Sequence, residues 1–476
     1  MPTLEQLEDV ARGAPAPALT VEQRERIAAA RAVVADAVEH GEVIYGVTTG
    51  FGQLSNVQIA AADTEQLQVN LVRSHAVGAG EPLERDVVRG MMFLLASSLA
   101  RGHSGVRVET VELLLEMVAR DAVPVIPSRG SVGSSGDLAP LAHLALALIG
   151  EDGTLAAAGL EPVRLTAKEG LALINGTHLM TSCGALAVRE ARRLLDDAIV
   201  AVALSLEAFK GSTAPFEARL QAVRPQPGQQ AVAARLRELL DGSPIVASHA
   251  DCGRVQDPYT LRCAPQVLGA VSDALDYVEG VLERECLAVT DNPLVLGGEI
   301  LSGGNFHGQP LSLALDHLAL AVCQLASFSE RRTYALLSPS YAGLPPFLTP
   351  HPGLSSGLMI VQYAQAALVN ECQVLAHPAG AGSIPTSAGQ EDFNSMGAFA
   401  ALKARQVVGL AAHVVASELV CASQGIEFHR PLQTTDRLEA ALRTVRRFVA
   451  PLGEDRSLAA EITALAAFLR FDTVAP

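Results

Sequence analysis

Ser128-Arg-Gly-Ser-Val-Gly-Ser-Ser-Gly-Asp-Leu-Ala-Pro140 packs Gly130, Gly133 and Gly136 into seven positions and runs directly into the apolar segment Leu138 to Ile149. Glycine permits positive φ and close folding of the backbone, and an apolar run headed by Asp137 reads as the start of a helix. A tight polar loop feeding a buried helix is thus the unit from which the fold can be read.

The same pattern recurs on either side. Ile27, Ala30, Val34 and Val38 are spaced close to a helical turn behind the candidate cap Thr20, predicting a helix from Val21 to His40. Glu42-Val-Ile-Tyr-Gly-Val-Thr-Thr-Gly-Phe-Gly52 then starts as a β-branched and aromatic run and becomes a glycine-punctuated loop around Tyr45. A helix is expected from Thr64 to Ser74, a tight loop from Ser74 to Pro82, and helices near Asp86 to Arg101 and Val108 to Asp121. The segment after Gly150, as far as Glu169, is turn-rich with short strands expected.

Beyond Asn175-Gly-Thr-His178 the pattern changes. Long apolar-periodic segments follow with few turn signals: Ala185 to Lys210, Ala231 to Leu240, Leu261 to Val289, Pro310 to Leu337, Ser356 to Leu375, Ser395 to Ser423 and Thr435 to Val449. The predicted architecture is mainly α, with a loop-rich N-terminal domain over 1–181 and an elongated bundle of long helices over 182–476.

Composition narrows the function. Trp is absent and aromatics make up 4% of a chain that is 49% hydrophobic, so the core must be built from Ala, Leu and Val, which suits helix packing. A net charge of −16 repels phosphate backbones and argues against nucleic-acid binding. The seven cysteines are scattered, without C-x-x-C spacing, and the twelve histidines form neither H-E-x-x-H nor H-x-H, so neither a disulfide framework nor a metal is indicated. The start, Met1 to Asp9, is acidic and carries no secretory signal. The most apolar segments, Met91 to Ala100 and Leu138 to Ile149, fall short of the roughly 20 residues that cross a bilayer. A cytoplasmic location without membrane attachment is expected.

The glycine loop matches neither a P-loop, a dinucleotide fingerprint nor a nucleophile elbow. It is suited to internal chemistry. Attack of the Gly136 nitrogen on the Ser134 carbonyl carbon, with loss of water, closes a five-membered ring, and loss of a second water from Ser135 leaves a methylidene. The competing reading is an ordinary loop in which Asp137 caps the following helix.

Ser131-Val-Gly-Ser-Ser-Gly-Asp-Leu-Ala-Pro-Leu-Ala-His143 closely resembles the signature of the aromatic amino-acid ammonia-lyases, the family that includes histidine and phenylalanine ammonia-lyases and tyrosine aminomutases. Tyr45 to Gly52, Ser74-His75, Asn175-Gly-Thr177, Gln256-Asp-Pro-Tyr-Thr-Leu-Arg262, Thr290-Asp-Asn-Pro293, Gly303-Gly-Asn-Phe306 and Gln390-Glu-Asp392 resemble further family blocks in the family's order. The resemblance implies a methylidene-imidazolone prosthetic group made from Ser134, Ser135 and Gly136, with no dissociable cofactor. It implies Tyr45 as the base, Arg262 as the fork that holds a substrate carboxylate, and Asn175, Gln256 and Tyr259 as hydrogen-bonding residues. Phe306 would line the pocket, and Gly52, at the end of the block that begins with Tyr45, would be among the substrate-binding residues. The family's homotetramer, with active sites shared between subunits, is expected too.

Substrate choice rests on Ser74-His75 and Glu391, which resemble the histidine-lyase pattern; a carboxylate and a histidine suit an imidazole that can be cationic. The expected reaction is elimination of ammonia from L-histidine to give urocanate. The alternatives are a tyrosine or phenylalanine ammonia-lyase, a 2,3-aminomutase, or a catalytically silent helical scaffold. Ser134 stands where the family usually has Ala, while Thr48, His178 and Phe393 stand where Asn, Gln and His are common in histidine lyases; Leu287 replaces a more usual polar residue.

Overall fold

A computed structural model describes residues 2–249 and 255–476, so Cys252 and the Asp251 to Arg254 part of one expected junction lie outside the described residues. The fold is mainly α. Contacts group the chain into two units, one of residues 1–186, 279–316 and 378–402 and the other of 187–278, 317–377 and 403–476. The chain thus returns to each unit after leaving it.

The first unit begins with helices whose starts are capped from within. Thr3 accepts from the Gln6 amide ahead of Leu4–Ala11, and Thr20 with Gln23 forms a reciprocal capping box ahead of Val21–Glu39. Helices Arg85–Leu99 and Val108–Ala119 pack beside them. Met91, Met92, Leu95 and Leu99 are all but fully buried, each contributing about 1.5–3 kcal/mol of burial free energy. Arg89 is buried among them; its guanidinium donates to the carbonyls of Val10, Val118 and Ala14 and pairs with Asp121.

Two small antiparallel sheets were not anticipated. Ala79–Pro82 pairs with Pro127–Arg129, and Leu294–Leu296 forms a hairpin with Glu299–Leu301. The first matters for the site, because it ties the strand before the glycine loop to the segment that follows His75. The β-branched run near Tyr45 is turns rather than a strand, and the region after Gly150 holds the short helix Thr154–Ala158 in place of the expected strands. The run around Tyr45 pairs at a single antiparallel bridge, Thr49 with Gln58.

Most helices lie within a few residues of their expected positions. Helices Leu4–Ala11 and Ala459–Phe471 were not anticipated, and His178–Phe209 starts seven residues before the expected Ala185. Asn175-Gly-Thr looked like an interruption, but the helix is capped from a distance: Asp137 Oδ2 accepts from the amides of Leu179 and Met180 at 2.9 and 3.0 Å. The expected Leu261 to Val289 helix breaks at Cys263 into Tyr259–Arg262 and Ala264–Cys286. Helices Gln309–Leu337 and Gly397–Glu427 are long and apolar enough to cross a membrane by length and composition, and most of each apolar window is buried.

The second unit is built from long helices around a buried ion pair. Arg332 Nε and Nη2 donate to the two oxygens of Glu418 at 2.5 and 2.6 Å, and the hydroxyls of Ser205 and Ser329 donate to the same carboxylate. Four donors thus offset the burial of the carboxylate, while Arg332 Nη1 is buried with no partner among the described residues.

Candidate active site

In the first unit a cavity of about 920 Å3 opens where the glycine loop meets five other segments. Its lining includes Tyr45, Gly52, Ser74, His75, Ser134, Ser135, Asn175, Phe306 and Glu391, so nine of the residues singled out from the sequence come together. Gly136 lies directly behind Ser135. Gln256, Tyr259 and Arg262 are not brought to this lining; they belong to the second unit, where the Arg262 guanidinium stacks over the Tyr259 ring at 4.7 Å. Tyr259 is exposed, and the buried Arg262 Nε has no hydrogen-bond partner among the described residues.

The loop is held at several points. Gly133 O accepts from the Gly308 amide and from Ser395 Oγ, Met396 N donates to Val132 O, and Asp137 N donates to Gly176 O. Gly136 has φ +72°, and a Cβ there would lie 2.2 Å from Gly176 O and 2.4 Å from Gly176 N. Only glycine fits so close to another backbone in a left-handed conformation. Among the described residues the Gly136 amide has no hydrogen-bond acceptor, which leaves its nitrogen uncommitted. Ser135 Oγ donates to Glu391 Oε1 at 2.8 Å. A glycine nitrogen without an acceptor two residues beyond the Ser134 carbonyl, next to a serine hydroxyl that already has a carboxylate partner, fits formation of the cyclised group.

The Ser134 hydroxyl accepts from the Ser395 amide at 2.9 Å and is 3% exposed. The residue that departs from the family's usual Ala is therefore tied to the wall of the cavity. Asp137, fully buried, has its carboxyl pushed up to about 7 by burial, against the amides of Met180 and Leu179 and the Ser131 hydroxyl.

Tyr45 Oη accepts from the Gly52 amide at 3.3 Å, and its ring packs edge-on against Phe51. His75 is the last residue of helix Thr64–His75. Its Nδ1 donates to Leu71 O at 2.8 Å, which leaves Nε2 as the acceptor. Burial lowers its pKa, opposed by that backbone bond and by the charge of Glu391.

Glu391 is fixed by residues the sequence did not single out. Thr386 Oγ1 donates to Glu391 Oε2 at 2.6 Å and accepts from Asn394 Nδ2, while Thr386 N donates to Glu391 O. His307 stacks on Phe393 at 6.4 Å between centroids, and both rings line the cavity. The lining contains no Lys or Arg among the described residues.

A glycine-held Ser134-Ser135-Gly136 loop facing a tyrosine and a carboxylate, on a mainly α scaffold, is the arrangement of an amino-acid lyase. The family model described as "Aromatic amino acid lyase" matches residues 3–447, and the chain belongs to that family. It is 54% identical to a protein named histidine ammonia-lyase from Deinococcus radiodurans, over 95% of this chain and 89% of that one. The crystal structure of histidine ammonia-lyase from Trypanosoma cruzi superposes with a TM-score of 0.91 at 41% identity, covering 98% of this chain and 92% of the other. Tyrosine aminomutase from Streptomyces globisporus superposes with a TM-score of 0.93 at 35% identity, covering 98% and 95%.

Proposed function

We propose that the chain is a histidine ammonia-lyase that converts L-histidine to urocanate and ammonia. The observation that carries this reading is the meeting of Tyr45, Ser135, His75 and Glu391 in one cavity. The name and 54% identity of the Deinococcus relative support the same substrate.

Cyclisation of Ser134-Ser135-Gly136 would supply an electron-poor methylidene, the electrophile needed to make ammonia leave. The remaining work falls to the chain's side chains. Tyr45, its oxygen aimed by the Gly52 amide, takes the β-proton. His75 presents Nε2 as an acceptor for an imidazole N–H, and Glu391 offers a negative charge to the same ring. Asn175 contributes a polar amide and Phe306 an apolar wall.

A substrate carboxylate calls for a cation, which this lining lacks. Arg262, with Tyr259 and Gln256, fills that need when it comes from another copy of the chain, as in a homotetramer with shared sites. The exposed side chains of Tyr277, Leu320, Tyr334, Ile360, Tyr363 and Val374, all in the second unit, support association by giving it apolar area to bury. We place the enzyme in the cytoplasm, where its free thiols stay reduced.

The test is a substrate panel. Purified protein with L-histidine should generate the ultraviolet absorbance of urocanate, and its intact mass should fall two waters below that of the unmodified chain. Coumarate or cinnamate from tyrosine or phenylalanine, with no signal from histidine, would sink the assignment. A β-amino acid product would favour an aminomutase, the second reading supported by the likeness to the Streptomyces enzyme. An unmodified mass with no turnover would favour a silent scaffold.

A further inference from the structure

Asn175 is 4% exposed, and its side chain is gripped only through nitrogen. Nδ2 donates to Asn292 O at 3.1 Å and reaches Asp291 Oδ1 at 3.5 Å, while Oδ1 is buried with no hydrogen-bond partner among the described residues. An unpaired buried acceptor is costly, and structures keep few of them. Here it belongs to a residue that lines the cavity.

Behind the amide lies a buried ion pair. Lys168 Nζ donates to Asp291 Oδ2 at 2.6 Å, and both side chains are 2% exposed. Asp291 Oδ1 accepts from the Asn292 amide at 2.6 Å, which fixes the rotation of the carboxylate. Lys168 holds φ +77° at the head of helix Glu169–Ile174, and Asn175 closes that helix. The left-handed conformation of a non-glycine residue costs about 1–3 kcal/mol and persists where the surroundings demand it.

Stability does not account for such a pair. Replacing a buried ion pair by apolar groups of similar size is often neutral or stabilising. What this pair adds that apolar groups could not is a charged acceptor behind the nearer Asn292 carbonyl, which reinforces the choice of nitrogen as the gripped end of the Asn175 amide. The Asp291 carboxylate favours the nitrogen, and the Lys168 ammonium holds that carboxylate in place.

We propose that Lys168 and Asp291 are positioning residues for the elimination, holding the Asn175 amide in one orientation so that its carbonyl oxygen is the unspent acceptor at the cavity wall. The inference rests on the lyase reading above. It is tested with whichever amino acid the panel shows the protein to turn over, so the two can fail separately.

The variant Lys168→Met with Asp291→Leu removes both charges at nearly constant volume and leaves no lone buried ion. It should keep the wild-type thermal midpoint within a few degrees and keep the two-water mass deficit, yet lose about 10-fold or more in kcat. Lys168→Met with Asp291→Asn restores a carbonyl acceptor for Nδ2 and should recover most of that loss. In an Asn175→Ala background the Met/Leu pair should change kcat less than 2-fold, because the residue it acts through is gone. Equal losses with and without Asn175, or equal losses in the Leu and Asn versions, would overturn the assignment. So would collapse of the fold in both double variants, which would make the pair structural.

Discussion

His178 stands where Gln is common in the family and is buried with Nδ1 unpaired; burial drops its pKa to about 4. An unfolded histidine takes up a proton near pH 6.5, whereas the folded one resists until about pH 4. Between those values the unfolded state binds more protons, so stability rises with pH through the window and is lost as pH falls. The slope should amount to something on the order of 3 kcal/mol across the window, at about 1.4 kcal/mol per unit. His178→Gln should flatten it, as thermal midpoints from pH 4 to 7 would show. An unchanged slope in the variant would assign acid sensitivity elsewhere.

Elements matter most where two backbones touch. Gly136 and Gly176 form a parallel bridge in which the Asp137 amide donates to Gly176 O. Gly136→Ala would push a Cβ against that backbone in a left-handed conformation, two separate penalties. The variant should lose about 2 kcal/mol or more and retain the full unmodified mass. A two-water deficit in Gly136→Ala would show that the turn tolerates a side chain.

The contrast with the sequence is also clearest among elements. Helices with a sustained apolar period, such as Val21–Glu39 and Met359–Leu375, could be read directly because burial of one face writes itself into spacing. The early start of His178–Phe209 could not, because its cap is Asp137, some forty residues upstream. Tyr45, Ser135, Asn175 and Glu391 stood out because each sits in a distinctive local block. Thr386, Ser395 and Lys168 did not, because a residue that serves by holding another leaves no period and no motif of its own.

For the molecule as a whole, the cationless cavity is the decisive feature. If Arg262 of another copy completes each site, two inactive variants should rescue one another. Tyr45→Phe and Arg262→Ala, each weak alone, should regain activity when co-expressed, at about a quarter of the sites for random assembly in shared positions. Absence of rescue, with mixed oligomers confirmed by mass, would place both residues in one chain's site.

The long reach of the contacts around the triad has a further consequence, in the order of events during synthesis. Asp137 is anchored by amides at 179 and 180, and Ser134 by an amide at 395. A chain still emerging from the ribosome contains the triad long before it contains the parts that bend it. Whatever chemistry Ser134, Ser135 and Gly136 perform is thereby deferred until most of the polypeptide exists, and a truncated product stays inert.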